Sequence, residues 1–481
     1  MANIRLPLPG SLSGGALFGF DISSMSGVLG TQAYKRFFGY PTSYTQGAIT
    51  ASMPAGSLVG ALASSITADR LSRKAALQQW AITWGILIQF FIQYGVAESV
   101  SGGPRDPAQS TAAFRIPWAV QMVPAVVLLV SLYFCPHSPR WLATRDRWRE
   151  ALLTLAALHE GTYGRTSEGM TIHDPRVRAQ YREIEDALRF EREQADGSFA
   201  ALIKGRMVRR VVLGMSIQAW SQLCGMNIMM LYVMEAAEIG SPLLTASIQY
   251  VINVVLTLPA ILFLDKWGRR PSLVIGSFLM MAYLFISGAL QHHYGRPNTA
   301  ATATQDNKDI SWVVVGHRGA SWGIVVCSYL FVATFATTWG PTSWTYPAEI
   351  FPSRIRARAV SVCTAANWLF NMVLAFAVPP LLWHVNYKTY YIFGSFNAAA
   401  FLHMLLMAHE TKGYTLEQMD DVFDRGGHAW ERKKKSVSRV EAMESQVEAS
   451  DVPPERRDTR DKSGLPCTTL AAEVTTREAS G

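Results

Sequence analysis

The sequence predicts an all-α integral membrane protein with about ten membrane-spanning helices. Three observations support this fold class. Hydrophobic residues make up 49% of the 481-residue chain and charged residues only 17%, whereas soluble proteins carry about a quarter charged residues. The apolar residues are gathered into stretches of about 20, the length that crosses the hydrocarbon core of a bilayer. The basic residues stand in short clusters beside those stretches.

Ten apolar stretches are long enough to span a membrane. They cover residues 11–32, 46–68, 76–97, 113–134, 211–238, 245–264, 272–290, 320–342, 359–383 and 388–407, and the first is the weakest candidate. When the chain crosses the membrane at each stretch, the basic clusters around Arg70, Lys266 and Arg356 fall on one side, together with the segment 140–210. Cytoplasmic loops are enriched in Lys and Arg, so this side is predicted to be cytoplasmic, with both termini inside.

The spans fall into two groups, which divides the chain into four segments. Residues 1–139 are predicted to form an N-terminal bundle of four spans, and residues 211–423 a C-terminal bundle of six. Residues 140–210 are predicted to be a cytoplasmic linker of short amphipathic helices, with Glu and Arg at spacings that pair along a helix. Residues 424–481 are rich in charged residues, Ser, Thr and Pro, and are predicted to be a disordered cytoplasmic tail.

Composition argues against several other classes of protein. The net charge of +8 comes from clusters beside apolar spans, as membrane topology requires, so no nucleic-acid partner is expected. The five cysteines are scattered and the ten histidines make no metal-ligand spacing. With no nucleophile elbow or phosphate-binding loop either, we expect neither an enzyme nor a bound metal or cofactor. The absence of a signal-peptide pattern or organelle signal favours the plasma membrane, with targeting by the first span.

A charged motif occurs twice at equivalent positions, which indicates an internal repeat. DRLSRK at 69–74 and DKWGRR at 265–270 each follow two spans of their half. After the second copy come a span, an outer loop, a span ending in PAEIFPSRIRAR and two more spans, whereas only two spans follow the first copy. The first half is therefore predicted to lack its third and fourth helices, about 65 residues by the spacing in the second half. Because the number of missing spans is even, every later loop stays on the same side of the membrane as it would in the full set of spans.

Nine motifs, in order, resemble the sugar porter family of the major facilitator superfamily, and most closely its fungal hexose and pentose transporters. They are GGALFGFDIS (14–23), the charged motif at 69, LQQWAITWGILIQ (77–89), PHSPRWL (136–142), SQLCGMN (221–227), DKWGRRP (265–271), GPTSWTYPAEIFPSRIRAR (340–358), NWLFN (367–371) and HETKGYTLEQMDDVF (409–423). The resemblance implies a two-bundle helical transporter of the major-facilitator type around a central sugar site, with about ten rather than twelve transmembrane helices. The departures are His137 for the family's usual Glu, His409 for Pro, and a lone Tyr232 where a Tyr pair is common.

Carboxamide side chains are the candidate sugar ligands. Gln218 and Gln222 lie four residues apart and share one helix face. Each amide offers a donor and an acceptor to sugar hydroxyls without burying a charge. The resemblance assigns sugar contact to a larger set, Gln79, Gln222, Asn227, Asn253 and Asn371. The alternative is that these amides only bond one helix to another, as small polar residues do in membranes.

Two tryptophans complete the predicted sugar site. Trp344 and Trp368 are candidates for stacking or gating, because sugars present apolar C–H faces that pack on aromatic rings. Pro341 and Pro347 are placed to interrupt the helix beside Trp344. The alternative is that both tryptophans are interfacial anchors, as lone membrane tryptophans often are. The flanking motifs favour the sugar site.

Asp21 is the candidate for proton coupling. It is a carboxylate in an apolar, Gly-rich stretch, and charges inside membranes usually mark a pathway or a proton relay. The resemblance implies this role, since the matching Asp pairs with an Arg of the fourth helix in proton-coupled sugar porters. That helix is predicted to be missing here. In the alternative, the first span begins later and Asp21 only caps a helix near the interface.

The charged motifs are predicted to form cytoplasmic salt bridges that hold the inside closed and break when it opens. In the second half the expected pairs are Asp265 with Arg269 and Arg270, and Glu349 with Arg354 or Arg356. In the first half, Asp69 and Arg73 are present without the motif to which they would bridge. The alternative is that these positive charges only set the topology.

The sequence therefore predicts a secondary transporter that moves a monosaccharide, a hexose or a pentose, by alternating access, with proton coupling left open. Its expected partners are the sugar, the lipid bilayer and, if transport is coupled, protons. The alternative is a sugar sensor that does not transport, or an inactive form that lacks an exon. Intact motifs on both sides of Lys74 favour a skipped exon over gradual decay. Without the fourth helix, Asp21 and Gln79 would face lipid or a gap, so impaired transport is expected.

Overall fold

The computed structural model describes most of the two predicted bundles. The described residues are 16–20, 23, 28, 31–64, 75–99, 108–134, 139–163, 177, 181–182, 184–185, 189, 200–203, 205, 207–226, 229, 242–297, 312–314, 316–413, 419 and 423. All of them belong to one compact unit, Met1–Arg432. The second unit, Lys433–Gly481, lies outside the described residues.

Among the described residues, fifteen helices have defined bounds, residues 16–20 are also helical, and there are two short strands. The helices are α1 (Gln32–Phe37), α2 (Ser43–Ser64), α3 (Ala75–Ser99), α4 (Ala112–Val120), α5 (Met122–Phe134), α6 (Pro139–Thr144), α7 (Trp148–Tyr163), α8 (Ala200–Ile203), α9 (Met207–Leu223), α10 (Pro242–Trp267), α11 (Arg269–Tyr294), α12 (Arg318–Thr337), α13 (Trp339–Ile350), α14 (Ser353–Val385) and α15 (Lys388–Met407). Strands β1 (Arg296–Pro297) and β2 (Trp312–Val313) pair antiparallel between α11 and α12. Apart from this hairpin, the all-α prediction describes the fold.

Six of the ten predicted spans correspond to helices that are long and apolar enough to cross a membrane. These are Ala112–Val130, Ser247–Trp267, Arg269–Tyr294, Arg318–Ile350, Ile355–Val385 and Lys388–Met407, counted over the described residues. Three further predicted spans overlap α2, α3 and α9, which are helical but not among the six. The first predicted span is described in part, with residues 16–20 helical, so the count of ten stays a prediction. The chain is a multi-pass helical membrane protein.

Glycines with left-handed backbone angles mark two helix boundaries. α9 ends at Leu223, and Gly225 follows with a φ of +91°. α11 begins at Arg269, directly after Gly268 with a φ of +92°. Only glycine adopts such angles without steric cost. A Cβ at position 268 would also lie 2.6 Å from a carboxylate oxygen of Glu410, so a side chain there would have to displace that carboxylate.

The two halves of the chain contact each other along helix pairs, α2 with α14 and α3 with α10. Pro379 has no N–H, so the Ala375 carbonyl one turn earlier in α14 lacks its helical donor. Thr50 Oγ1 of α2 lies 3.2 Å from that carbonyl and 3.0 Å from the Gln46 and Gly47 carbonyls of its own helix, so its one proton is shared among the three. A Cβ at Gly47 would lie 2.7 Å from the Phe376 carbonyl oxygen, so the two helix backbones approach closely. Gly47 therefore allows the close approach of α2 and α14 at this point.

The largest cluster of buried apolar side chains lies in the second half, between Leu202 and Ala408. In the first half, the helical residues 16–20 pack against α3 through Gly19 and Gly85. A Cβ on Gly85 would overlap the Ala16 carbonyl, and one on Gly19 would overlap the Ile82 carbonyl. Small residues allow this backbone contact, the usual way for helices to pack in membranes.

Candidate functional site

Three polar side chains of α9 meet around Asn367 of α14, which is 3% exposed. Asn367 Nδ2 donates to Gln218 Oε1 at 2.7 Å and to Ser221 Oγ at 3.1 Å. Asn367 Oδ1 accepts from Gln222 Nε2 at 3.2 Å. Asn367 therefore links the amides on one face of α9 to α14.

The hydrogen-bonded row continues at both ends. At the buried end, Gln218 Nε2 donates to the Ser343 carbonyl of α13 at 2.9 Å. That carbonyl is free to accept because Pro347, one turn later, has no N–H. At the other end, Asn371 Nδ2 donates to Gln222 Oε1 at 2.8 Å. We call Gln218, Asn367, Gln222 and Asn371 the amide row.

The amide row carries no charge. At its outer end, formed by Gln222 and Asn371, it has donors and acceptors that can bind a ligand. Gln218 is buried, whereas Gln222 and Asn371 are half-buried. Asn371 Oδ1 accepts no hydrogen bond from a described residue, and Gln222 Nε2 has a second N–H. A neutral ligand with hydroxyl groups can use both the free acceptor and the free donor.

An aromatic cluster adjoins the amide row along the chain, since Trp368 follows Asn367 and Trp344 follows Ser343. Phe18 of the first half meets the Trp368 ring edge-on, with centroids 5.4 Å apart and an interplanar angle of 76°. It meets the Trp344 ring at 6.1 Å and 89°. A first-half side chain therefore contacts both predicted stacking residues. Sequence analysis had not singled out Phe18.

The remaining predicted ligands are not joined to the amide row by contacts among the described residues. Asn253 is 7% exposed and accepts from Thr257 Oγ1 of its own helix, at 2.7 Å to the carbonyl and 3.4 Å to Oδ1. Gln79 lies in α3, but its side chain is outside the described residues. Asn227 and Asp21 also lie outside them.

Sequence analysis missed Asn367, the residue with the most bonds in the row. A signal was present in the motif NWLFN, where Asn367 and Asn371 are four residues apart. This is the same spacing as Gln218 and Gln222 on α9, so two helices each present two amides on one face. Matching spacings on two helices indicate a shared network more strongly than either pair does alone.

A second polar network lies where α10, α11 and α13 meet, at the predicted cytoplasmic ends. Arg269 Nη2 is 2.7 Å from Asp265 Oδ1 and 2.7 Å from Glu349 Oε1, and Nε donates to Glu349 Oε2 at 3.1 Å. Thr411 Oγ1 donates to the same Glu349 Oε2 at 2.6 Å. A cavity of about 490 Å³ opens here, and Asp265, Arg269, Glu349 and Thr411 are among its lining residues.

Glu410 also belongs to this network. Its role at the start of α11 was not among the predictions from the sequence. Its carboxylate accepts from the backbone N–H groups of Arg269 at 2.9 Å and Arg270 at 3.2 Å. These are unpaired donors at the start of α11, where a negative charge also opposes the positive end of the helix dipole. The Arg270 side chain donates to the Leu405 carbonyl at 2.8 Å.

Glu349 pairs with Arg269, a partner that had not been predicted for it, and its predicted pairing with Arg354 or Arg356 stays a prediction. Arg356 donates to the Phe351 carbonyl at 3.2 and 3.1 Å. The side chain of Arg354, and the residues Asp69 and Arg73, lie outside the described residues. Within the described ranges, no group of three His, Cys, Asp or Glu side chains is placed to hold a metal.

Comparison with known proteins assigns a family. The model of the family described as "Sugar (and other) transporter" matches residues 9–78 and 75–423. An MFS glucose transporter of Aspergillus flavus is 51% identical, with 90% of this chain and 92% of that protein covered. A high-affinity glucose transporter of Kluyveromyces lactis is 34% identical, covering 86% of this chain and 84% of that protein. The solved structure of an MFS proton:xylose symporter bound to 6-bromo-6-deoxy-D-glucose matches with a TM-score of 0.64 and 21% identity, covering 88% of this chain and all of that one.

The alignments also bear on the length of the first half. The alignment with the Aspergillus flavus protein runs over 498 positions, but 90% of 481 residues take part, which leaves about 65 positions without a residue in this chain. The two segments matched by the family model meet at 75–78, where the first charged motif joins α3. Both findings agree with a two-helix deficit there, which stays a prediction. Because a family model covers most of its residues and a 51% identical relative aligns over 92% of that relative's length, this chain belongs to the sugar transporter family of the major facilitator superfamily.

Proposed function

We propose that the chain moves a monosaccharide, a hexose or a pentose, across a membrane by alternating access. The observation that carries the proposal is the amide row, a set of four neutral amides shared by two helices, with free hydrogen-bonding capacity at its outer end. Sugar hydroxyls both donate and accept, so they match amides without the cost of burying a charge. The relatives named as glucose transporters support the same substrate class.

In this proposal the outer amides bind the sugar and the inner ones hold them in place. Gln222 and Asn371 contact hydroxyl groups, while Gln218 and Asn367 fix their orientation through the bonds described above. Trp344 and Trp368 pack on the apolar faces of the sugar ring. Gln79, Asn227 and Asn253 are proposed as further ligands of the same sugar.

The Arg269 network is proposed to hold the cytoplasmic side closed. It joins α10, α11 and α13 through two carboxylates on one guanidinium. Such a cluster has two discrete states, paired or broken, as a rocking transporter requires. Asp69 and Arg73 would act in the same way in the first half. Asp21 is proposed as the proton-coupling residue, and its usual partner would lie in the missing fourth helix.

A second candidate function is a sugar sensor that does not transport, or an inactive form that lacks an exon. The observation that favours it is the deficit of about 65 aligned positions, with the matched segments meeting at 75–78. We propose that the deficit removes two helices that close the first-half side of the cavity, and that transport by this form is impaired. The four-segment organisation, the plasma membrane location and the cytoplasmic termini are part of the same proposal.

The test is uptake of radiolabelled glucose and xylose by yeast cells that lack their own hexose transporters. Three chains are compared: this one, a version with the two-helix segment of the Aspergillus flavus relative inserted after Lys74, and that version carrying Gln222→Ala. The restored chain should take up sugar, and Gln222→Ala should reduce its uptake by about tenfold or more through the lost hydrogen bonds.

Binding to the purified proteins separates the outcomes. The unrestored chain should bind sugar weakly and take up little, and a form that binds but does not transport fits the sensor hypothesis. Equal uptake by the restored and unrestored chains would contradict impairment. A restored chain that neither binds nor transports any monosaccharide would overturn the proposed function.

A further inference from the structure

Helix α9, which carries half of the amide row, is held from two opposite sides. Successive residues of an α-helix are turned by about 100°, so Trp220 projects about 160° away from both Gln218 and Gln222. The two glutamines contact α13 and α14. Trp220 contacts α15 instead. The contacts with α15 are therefore on the side of α9 opposite the face that carries the two glutamines.

The first α15 contact is a hydrogen bond between ring nitrogens. Trp220 Nε1 donates to His403 Nδ1 at 2.8 Å, with the ring centroids 6.3 Å apart. The indole nitrogen only donates, so His403 Nδ1 is unprotonated and the ring proton is on Nε2. A histidine inside a membrane helix costs desolvation energy, and an apolar side chain would fill the same space without that cost. The advantage of the histidine is its hydrogen bond, which holds the Trp220 ring in one orientation.

The second contact holds the end of α9. Asn397, 1% exposed, donates from Nδ2 to the Cys224 carbonyl at 2.8 Å and to the Phe393 carbonyl of its own helix at 2.9 Å. Cys224 lies just beyond the last residue of α9, where carbonyls lack helical donors. Next to it, a Cβ on Gly225 would lie 3.1 Å from the Phe393 ring. The helix end and the following turn therefore rest against α15.

We propose that Asn397 and His403 are positioning residues for the sugar site. They fix the rotation of α9 and the point at which it ends, and so place Gln218 and Gln222 for hydrogen bonding. Side-chain tips lie about 6 Å from a helix axis, so a rotation of about 20° displaces them by about 2 Å, enough to break a hydrogen bond. The inference rests on the proposed function, since it deepens the account of the same site.

The test uses the purified chain with restored helices, and measures equilibrium binding of radiolabelled glucose. His403→Leu and Asn397→Leu should each raise Kd about three- to tenfold, the loss of one hydrogen bond that orients a ligand group. His403→Gln keeps an acceptor for Trp220 and should restore binding to within about twofold. The matched control is Ser395→Ala, because Ser395 Oγ donates only to the Tyr391 carbonyl of its own helix. If His403→Leu fails to fold, Trp220→Phe replaces it, because that variant removes the donor of the same hydrogen bond.

A second readout needs no sugar. Gln222→Cys is introduced as a reporter, and its labelling by a small charged thiol reagent is compared among the same α15 variants; the described native cysteines Cys224, Cys327 and Cys363 are buried. His403→Leu should change the labelling rate several-fold, and His403→Gln should return it. The restored chain could bind no sugar and still show the change in labelling with His403→Leu and its return with His403→Gln. That result would overturn the proposed function but support the positioning role. Unchanged labelling and unchanged Kd in every α15 variant would overturn the positioning role.

Discussion

Asn371 Nδ2 lies 2.8 Å from Gln222 Oε1, so the two outer amides of the row bind each other across the gap between α14 and α9. Each orients the other, while Asn371 Oδ1 and the second N–H of Gln222 Nε2 make no bond to a described residue. The two residues therefore behave as a pair, and their effects on a ligand are not independent.

The first prediction concerns this pair. Gln222→Ala and Asn371→Ala should each weaken glucose binding, and the double variant should lose about 1 kcal/mol less than the sum of the two, because neighbouring groups are coupled. The measurement is a double-mutant cycle on Kd for the restored chain. Additive losses would show that the two amides act separately.

The second prediction concerns Asn367. Asn367→Leu keeps the branching at Cγ, although the leucine side chain is larger, and it leaves Gln218 and Gln222 without their partner. It should lower the unfolding free energy by about 1–2 kcal/mol as well as weaken binding. Thermal unfolding in detergent checks the first effect, and Thr337→Val is the control, because Thr337 bonds only carbonyls of its own helix. Equal melting temperatures for the two variants would contradict the role of Asn367 as the centre of the row.

The third prediction concerns the charge network. Arg269→Lys cannot bind both Glu349 oxygens in the fork geometry of a guanidinium, and Glu349→Gln removes the charge, so both should favour the state that is open to the cytoplasm. A Thr345→Cys reporter on α13 should be labelled about three- to tenfold faster from the cytoplasmic side. Arg318→Ala, at an exposed arginine that starts α12, is the control. Labelling that stays at the parent rate in both variants would argue that the network only sets topology.

The fourth prediction concerns packing of the first half. Gly85→Ala places a Cβ against the Ala16 carbonyl and should destabilise the chain by about 1–3 kcal/mol, the usual cost of overpacking. Gly95→Ala on the same helix meets nothing within 4 Å and should leave stability unchanged or slightly raised. Thermal unfolding of the two variants is the measurement. Indistinguishable melting curves would mean that residues 16–20 do not depend on contact with α3.

The contrast between prediction and structure is clearest for α9 and α14. The four-residue spacing of Gln218 and Gln222 predicted that they share a helix face, and the structure brings Gln222 together with Asn371. The spacing did not show that Asn367 would form hydrogen bonds with both Gln218 and Gln222. Those bonds depend on how α9 and α14 pack, and the two helices are more than a hundred residues apart in the chain.

From sequence alone we predicted the helical membrane class, the six spans that correspond to long apolar helices, the order of the motifs and a two-helix deficit that stays a prediction. These depend on local composition, segment length and comparison of one half with the other. Only the tertiary structure decided that Arg269 binds Glu349, that Glu410 caps α11, and that α15 holds the far side of α9. Periodicity tells which face of a helix a side chain occupies, whereas its partner is set by the helix that packs across from that face.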